Sequence, residues 1–475
     1  MKFVDALRQE DIVTENGMST NSTSLNACVD LFFNIGAMRG QDKERLIATF
    51  SKAFNEDPER AMKLLFWARD VRGGAGERQV FKDIIAYLAE NHDLALKPNL
   101  YLIPEYGRWD DLLTLVGTYL EEDAFTLISD ALIAENGLCA KWMPRKGSVA
   151  EKLRKFTGMS PKQYRKSLVG LTNVVETKMC AGEWDSIEFG KLPSVASARY
   201  QKAFGKNAYE SYSAYIQSLV KGEAKINAGA VYPYDITKSL NYGNSVVANE
   251  QWKALPNYME GANDMILPVV DVSGSMETPA GGNKTVTCMD VAISLGLYIS
   301  QRNEGPFKDA FITFSSTPQL QVLSGTLSDR YTQMANSDWG MSTNLEATFK
   351  LILDQATKHK LSQDEMPNKI LILSDMEFNQ ATGSRGWRNE TEWNPTAQQM
   401  IEKMYSDAGY KMPQIVYWNI KSRNGGVPVA FDTQGTALVS GFSPAIMTSL
   451  LGGDIESPQQ IMDKTIMSER YAQIV

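Results

Sequence analysis

The sequence predicts a two-part fold, an all-helical N-terminal half followed by an α/β half built on a parallel sheet. Apolar residues recur at helical spacing from about Ser24 to Gly222. From Met265 onward, short apolar runs typical of strands alternate with helical segments. The chain has 475 residues, enough for about two or three domains with sizeable cores. We therefore expect a helical domain over 1–255 and an α/β domain over 256–475.

The N-terminal half has the pattern of successive antiparallel helices joined by short turns. Residues 28–35, 46–54, 61–68 and 80–88 each place apolar side chains on one helical face. Gly, Pro, Asn or Asp separates such segments. Paired helices of this kind stack into curved arrays such as HEAT-like repeats, here without a strict repeat of identical residues. We expect the linker to the second half near 238–256, where polar residues, Asn and Gly are dense.

The C-terminal half is typical of a Rossmann-like parallel sheet covered by helices on both faces. Parallel strands need long crossover connections, and helical segments between the apolar runs supply them. The predicted strands are 265–270, 310–314, 370–373, 415–418 and about 429–431, and the predicted helices are 289–302, 345–358, 395–405 and 444–451.

The first of these strands leads into a pattern of oxygen-bearing side chains. Asp271, Ser273 and Ser275 follow it as Asp-x-Ser-x-Ser. A hard cation such as Mg²⁺ prefers near-octahedral oxygen ligands and keeps several waters, so one carboxylate and two hydroxyls on a short loop suit it. We expect a site for Mg²⁺, with Mn²⁺ or Ca²⁺ as alternatives, that leaves one position open.

Two further oxygen donors follow in chain order. Thr343 lies in a loop, 339–344, ahead of a predicted helix, and Asp375 directly follows a predicted strand. Because ligands of open α/β sheets bind at the carboxyl ends of the strands, these side chains should meet Asp271. The alternative is that both aspartates are ordinary helix N-caps. A long polar loop beside them suits recognition; it spans 377–394 and carries Arg385, Trp387, Arg388 and Trp393.

One segment of the helical half concentrates positive charge. Residues 141–166 hold nine basic side chains against Glu151 alone, a net charge of +8; since the whole chain is at −8, the remainder is at −16. A basic stripe on an acidic body predicts a face that meets phosphate, the alternative being a solvated loop and helix face. Trp142, Phe156 and Tyr164 add stacking surfaces. The basic residues are Lys141, Arg145, Lys146, Lys152, Arg154, Lys155, Lys162, Arg165 and Lys166.

A glycine-rich bend between two predicted helices carries Arg69, Arg72 and Arg78. Such a bend can offer backbone N–H groups and guanidinium forks to a phosphate. Equally, the first two arginines can form internal salt bridges with the neighbouring Asp70 and Glu77. Internal pairing is the preferred interpretation.

Composition narrows the possible chemistry. The chain has only two histidines, His92 and His359, and neither lies in a recognisable catalytic context, so Ser273 and Ser275 are interpreted as ligands and not as nucleophiles. There is no Walker loop and no Cys-x-x-Cys spacing. No apolar run approaches the roughly 18 to 20 residues of a membrane span. With no signal-peptide core at the N-terminus, we expect a cytoplasmic protein, in the host cytoplasm if it is viral.

Together these motifs resemble those of the Ro/TROVE ribonucleoproteins. They are more closely similar to the viral, plant and fungal relatives that join a helical region to a von Willebrand A domain. The resemblance covers most of the chain and rests on residues 14–17, 69–78, 104–113, 140–146, 164–166, 271–275, 339–344 and 374–378.

The resemblance implies a ring formed by helical repeats and a von Willebrand A domain. The cavity of such a ring would bind single-stranded RNA ends, and a basic outer surface would bind structured RNA. The basic residues of 141–166 and the arginines of the bend would face RNA, and Asp271, Ser273, Ser275, Thr343 and Asp375 would bind the metal. The leading hypothesis is a non-enzymatic scaffold or chaperone for small or misfolded RNA. One alternative is a metal-dependent protein adaptor or viral assembly protein, in which a partner's carboxylate completes the metal shell. A metal-assisted hydrolase is the third hypothesis.

Overall fold

The computed structural model has helices along the chain and one large sheet in its C-terminal half. This mixed α/β architecture confirms the prediction of a helical N-terminal region followed by a part with mostly parallel strands. Within the part of the chain that the structure describes, no helix is long and apolar enough to cross a membrane. The structure describes residues 12–240, 245–281, 285–315, 317–337, 343–379, 396–423 and 426–475.

Two compact units divide the chain, and neither is a single continuous segment. We call them the sheet unit and the helical unit. The division differs from a boundary at 255/256, because the first 64 residues belong with the sheet. The sheet unit comprises Met1–Leu64, Tyr232–Tyr242 and Asn257–Ser468, and the helical unit comprises Leu65–Val231, Gly243–Pro256 and Glu469–Val475.

A six-stranded sheet forms the core of the sheet unit, with a separate two-stranded hairpin near the N-terminus. The strands are β1 Ile12–Val13, β2 Ser19–Thr20, β3 Ile266–Asp271, β4 Ala310–Phe314, β5 Leu320–Val322, β6 Lys369–Ser374, β7 Gln414–Asn419 and β8 Thr436–Ser440. The large sheet has the order β5-β4-β3-β6-β7-β8, parallel except for the edge strand β5. Strands β3 and β6 are buried along their whole length, as a sheet covered on both faces requires.

Four predicted strands match β3, β4, β6 and β7 within a residue or so at each end. The fifth prediction, 429–431, is wrong, because β8 begins at Thr436. The backbone of the predicted segment bonds elsewhere: the Phe431 N–H donates to the Ser24 carbonyl at 2.9 Å. The edge strand β5 was not predicted, since it has three residues and an exposed pattern.

Helices pack against this sheet. Helix Ala27–Ile35 packs on β8, where Ser440 Oγ donates to the Phe32 carbonyl at 2.7 Å. Helix Cys288–Arg302 packs on β3 so closely that a Cβ on Gly296 would come 2.6 Å from Val270 Cγ2. The α-helices of the sheet unit are Ala27–Ile35, Lys43–Glu56, Pro233–Leu240, Cys288–Arg302, Leu327–Ala335, Leu345–His359, Ala397–Ala408, Met447–Leu450 and Pro458–Ile466, with 3-10 turns at Gly274–Glu277, Gly305–Phe307, Gln363–Glu365 and Pro444–Ile446.

The helical unit contains only helices and turns among its described residues, as predicted. Its C-terminal part packs around Phe189, Phe204 and Tyr212, while Tyr209 is exposed. Helices occupy much of the expected linker, of which 241–244 lie outside the described residues. Helix Pro58–Arg69 belongs in part to each unit; the others are Arg78–Asn91, Asp93–Leu96, Ile103–Tyr106, Glu121–Ile133, Gly137–Trp142, Ser148–Phe156, Pro161–Leu171, Val175–Ala181, Ser194–Arg199, Gln201–Asn207, Tyr209–Val220 and Ser245–Lys253, with 3-10 turns at Lys97–Leu102, Trp109–Leu115, Trp184–Ser186, Phe189–Lys191 and Glu469–Tyr471.

Candidate functional site

The predicted oxygen ligands lie at the carboxyl edge of the large sheet. Asp271 ends β3, and Asp375 directly follows β6, the parallel neighbour of β3. Asp271 Oδ1 accepts a hydrogen bond from the Ser273 N–H at 2.9 Å, and its Oδ2 accepts one from Ser374 Oγ at 2.5 Å. Ser273 Oγ lies 3.0 Å from Ser275 Oγ. The sheet register and the short loop after β3 therefore bring these side chains together.

Thr343 joins the same region from another loop. It precedes helix Leu345–His359, and its hydroxyl donates to the carbonyl of Glu377, two residues after Asp375. The rest of the predicted threonine loop, 339–342, lies outside the described residues, as do Arg385, Trp387, Arg388 and Trp393 of the polar loop.

Negative charge is concentrated in this buried region. Asp271 is 0% exposed and Asp375 is 2% exposed. Desolvation, followed by repulsion from the Asp375 carboxylate, raises the pKa of Asp271 to about 7. Desolvation also raises the pKa of Asp375, against the opposing effect of Arg423. Asp375 Oδ2 is buried and accepts no hydrogen bond from the described residues. Arg423 Nε lies 3.0 Å from it, but this ion pair lacks the geometry of a hydrogen bond.

This donor set fits a hard divalent cation. Its members are carboxylate and hydroxyl oxygens, and a bound cation would satisfy Asp375 Oδ2 and offset the repulsion felt by Asp271. No group of three or more His, Cys, Asp and Glu side chains is placed to hold a metal in the described ranges. A metal at this edge would therefore depend on the hydroxyls of Ser273, Ser275 and Thr343.

The N-terminal hairpin covers this edge of the sheet unit. In its turn, the Glu15 N–H donates to Glu377 Oε2 at 2.6 Å, and Asn16 Nδ2 donates to the Glu377 carbonyl at 2.6 Å and to Thr343 Oγ1 at 3.2 Å. Glu15 Oε2 lies 3.1 Å from Arg423 Nη1. Sequence analysis did not identify Glu15, Glu377 or Arg423 as site residues. Position 377 is the first residue of the predicted polar loop, and no local pattern points to Arg423.

The basic segment lines a groove in the helical unit. This open cavity has a volume of about 910 Å³ and lies between helices Ser148–Phe156 and Pro161–Leu171. Glu151 is its one acidic lining residue. Six of the predicted basic residues line it: Arg145, Lys146, Arg154, Lys162, Arg165 and Lys166.

The other three basic residues of the segment lie outside the groove lining. Lys141 lines a second cavity of the helical unit. Lys152 Nζ pairs with Glu121 at 2.8 Å, and Lys155 Nζ pairs with Glu151 at 3.3 Å. Both pairs are on the surface, where such contacts are worth only about 0–1 kcal/mol.

The predicted stacking aromatics have different environments. Tyr164 is buried, and its hydroxyl donates to the Pro144 carbonyl at 3.1 Å, so it builds the groove wall. Phe156 is 41% exposed. Trp142 lies under the guanidinium of Arg108, whose Cζ is 3.7 Å from the ring centroid.

Arginines of the glycine-rich bend form ion pairs inside the helical unit. Arg69 is buried, and its Nε lies 2.7 Å from Asp111 Oδ2. This partner is 42 residues away and differs from the acidic neighbours favoured by the sequence. Arg78 pairs with Asp110 and remains 48% exposed, and Arg72 is exposed. Burial removes Arg69 from any surface that could meet RNA.

Comparison with known sequences extends over both halves of the chain. Residues 265–473 match a family described as domain of unknown function DUF7788. Residues 14–138 and 126–264 match a family described as domain of unknown function DUF2828. A protein of Acanthamoeba polyphaga mimivirus, named uncharacterized protein L728, is 30% identical over 512 aligned residues, which cover 94% of this chain and 86% of the relative. The two family matches meet at 264/265.

Proposed function

We propose that this chain, which belongs to the family described as domain of unknown function DUF2828, is a non-enzymatic RNA-binding protein. One observation carries the proposal: six lysine and arginine side chains, opposed by Glu151 alone, line a single groove of about 910 Å³. Cations gathered along one groove neutralise successive phosphates, whereas the acidic remainder of the chain repels them. Nucleic acid would therefore be held at this groove.

The groove cations are arranged for contact with a strand. Lys162, Arg165 and Lys166 lie on one helix at spacings of three and four residues, which place them on one face. All three are exposed, and no ion pair holds any of them within the described chain. The exposed ring of Phe156 at the end of the neighbouring helix supplies a surface for an unpaired base, which favours single-stranded RNA or unpaired loops as the ligand.

A Mg²⁺-bearing von Willebrand A domain is the second part of the proposal. The oxygen ligands at the carboxyl edge of the sheet, the sheet order and Asp375 Oδ2, which accepts no hydrogen bond from the described residues, support it. Asp271, Ser273, Ser275, Thr343 and Asp375 would hold the cation. When bound, it would supply an open coordination position for a carboxylate of a protein partner.

By its resemblance to the Ro/TROVE proteins, the chain would act as a scaffold or chaperone for small or misfolded RNA, built on HEAT-like helical repeats. The viral relative favours the host cytoplasm as the place of action if this chain is viral as well.

One observation favours a metal-dependent protein adaptor as a second candidate function. The Glu15 carboxylate of the N-terminal hairpin already lies 3.1 Å from Arg423 at the edge of the oxygen cluster. A carboxylate supplied by a partner could approach the cation from the same side. Mg²⁺-dependent capture of a partner that survives charge reversal in the groove would support this role.

Purification without nuclease tests the RNA-binding function. We expect the wild-type protein to carry a reproducible set of RNAs, identified by sequencing, and Arg165→Glu with Lys166→Glu to lose them. A matched control, Lys206→Glu with Lys221→Glu, makes the same charge change at exposed positions outside the groove lining and should keep the RNA. Wild-type protein free of RNA would overturn the proposal in favour of the adaptor.

A further inference from the structure

The edge strand β5 uses one side of its backbone to pair with β4. The positions that flank it bond to the β4 side: the Gln319 carbonyl accepts from the Thr313 N–H at 3.0 Å, and the Leu323 N–H donates to the Asp309 carbonyl at 2.9 Å. Bonds of an antiparallel ladder recur at every second residue, so Gln321 bonds to β4 as well. The residues between these positions turn their backbone groups to the outer side of β5.

The groups on this outer side are the N–H and the carbonyl of Leu320 and of Val322. Neither residue's backbone has a hydrogen-bond partner within the described ranges. An unpaired strand edge is a template on which a further strand can form. The side chains of both residues lie on the same face, and they are 49% and 68% exposed. Exposed apolar surface therefore accompanies the open backbone.

Both ends of this open edge are closed. The next outward position towards the N-terminus is Pro318, which has no N–H to donate. The next one towards the C-terminus is Ser324, whose N–H donates to Gln333 Oε1 at 3.2 Å and whose carbonyl accepts from Gln333 Nε2 at 2.8 Å. Among the described residues of this edge, Leu320 and Val322 alone can therefore pair fully with another strand.

A second copy of β5 fits this edge when it lies antiparallel and centred on Gln321. In that register Leu320 faces Val322 of the second copy, and the two residues of each such pair exchange two backbone hydrogen bonds. The closed positions also face one another, since Pro318 lies opposite Ser324 of the second copy. Open groups thus meet open groups and closed ones meet closed ones, as a symmetric contact between identical surfaces requires.

The charge of this segment also suits a second copy. Residues 310–328 contain no Asp, Glu, Lys or Arg. Natural proteins commonly protect an open edge with charged side chains, above all lysine, and this edge has none. The chain carries a net charge of −8, so two copies repel each other in general, whereas a neutral edge can meet its own copy without such repulsion.

We propose that two copies of this chain associate through β5 and so join their six-stranded sheets into one. The contact has two-fold symmetry about Gln321 and pairs Leu320 of each copy with Val322 of the other. A strand of three residues on each side buries less than the roughly 1,200 Å² of a stable interface, so the dimer is weak and reversible. It requires neither the RNA nor the metal of the proposed function.

Sedimentation equilibrium of the full chain, after nuclease treatment and in EDTA, tests this contact. We expect a monomer–dimer equilibrium. Leu320→Lys with Val322→Lys should weaken the dimer at least about tenfold, because the register places like charges opposite each other. Leu320→Lys with Val322→Glu should restore it, because opposite charges then face each other. A control with the double lysine change at exposed apolar positions outside β5, Leu94→Lys with Val220→Lys, should dimerise like the wild type.

A cysteine at the centre of the contact tests the register independently. The two copies of position 321 would form a non-hydrogen-bonded pair with Cα atoms about 4.5 Å apart, which is within the range of a disulfide. Cys180→Ser first removes the exposed native thiol. Oxidation should then link Gln321→Cys into covalent dimers and leave Gln319→Cys, which lies away from the two-fold axis, largely unlinked.

Three results would overturn the proposal. The first is a wild-type protein that stays monomeric at every concentration. The second is a dimer that keeps its affinity in the double lysine variant, since it would use another surface. The third is equal linking of the two cysteine variants, which would contradict the register even if the lysine variant folds poorly.

Discussion

Arg69 Nε lies 2.7 Å from Asp111 Oδ2 inside the helical unit, and this ion pair joins the motifs 69–78 and 104–113. The Asp111 side chain is fully buried and the Arg69 side chain nearly so. Gly107 stands beside both: a Cβ there would come 2.5 Å from Asp111 Oδ2 and 3.0 Å from Arg69 Nε. Packing therefore accounts for these residue types without any ligand.

Replacement of Arg69 by methionine should destabilise the protein strongly. It removes the closest partner of the buried Asp111, at 2.7 Å, while Lys82 Nζ remains 3.4 Å from the other carboxylate oxygen. The loss in free energy of unfolding should therefore lie near the lower end of the about 3–5 kcal/mol that breaking a buried ion pair costs. Urea denaturation of the full chain measures the loss. Arg72→Met, at an exposed position of the same bend, should change the stability by no more than about 0.5 kcal/mol. Equal losses in the two variants would contradict the structural role of Arg69.

Gly107→Ala should lower the melting temperature because its Cβ would meet Asp111 Oδ2 and the Ile103 carbonyl at 2.5 and 2.8 Å. Overpacking of this kind costs about 1–3 kcal/mol. Gly205→Ala is the control, since the added Cβ meets nothing within 4 Å in helix Gln201–Asn207. It should stabilise by about 0.5–1 kcal/mol through helix propensity. A Gly107→Ala protein as stable as the wild type would argue against the tight junction.

Asp271→Ala should abolish the binding of Mg²⁺ and Mn²⁺ while leaving most RNA affinity intact. The change removes the carboxylate that Ser273 and Ser374 orient, and the basic groove belongs to the other unit. Isothermal titration calorimetry follows the metal, and fluorescence anisotropy follows the RNA. Unchanged metal affinity in this variant would rule out the assignment of the site.

Arg423→Gln should raise the affinity for Mg²⁺ by about three- to tenfold, because it removes a cation that lies 3.0 Å from Asp375 Oδ2 and competes with the metal. Lys421→Gln is the matched control with the same loss of charge two residues away. We expect little change in its metal affinity. If the Mg²⁺ affinity rises equally in both variants, the effect reflects net charge and not the position of the Arg423 guanidinium.

Local patterns were sufficient to predict the central part of the sheet. Strands β3, β4, β6 and β7 are apolar runs, and their carboxyl ends position Asp271 and Asp375 in one region. The last strand was misplaced because two short apolar segments lie close together in the sequence. Backbone bonds of Val427 with Asn21 and of Phe431 with Ser24 show that the earlier segment pairs outside the sheet.

The parts of the candidate sites that sequence could not predict depend on distant contacts. Arg423 reaches Asp375 across 48 positions, and Glu15 reaches Arg423 across 408. Neither residue belongs to a local pattern with chemical meaning. The sequence was sufficient to predict the high density of positive charge in the basic segment. Which of these cations line the groove, and which form surface ion pairs such as Lys152 with Glu121, depends on how the helices pack.

The affinity for single-stranded RNA, measured by anisotropy at several salt concentrations, tests most directly whether the basic groove binds RNA. Each lost phosphate contact should reduce the salt slope by about 0.7. We therefore predict that Arg165→Glu with Lys166→Glu binds more weakly and with a slope shallower by about 1.4, whereas Lys206→Glu with Lys221→Glu keeps the wild-type slope. The same affinity and slope in all three proteins would contradict RNA binding in this groove.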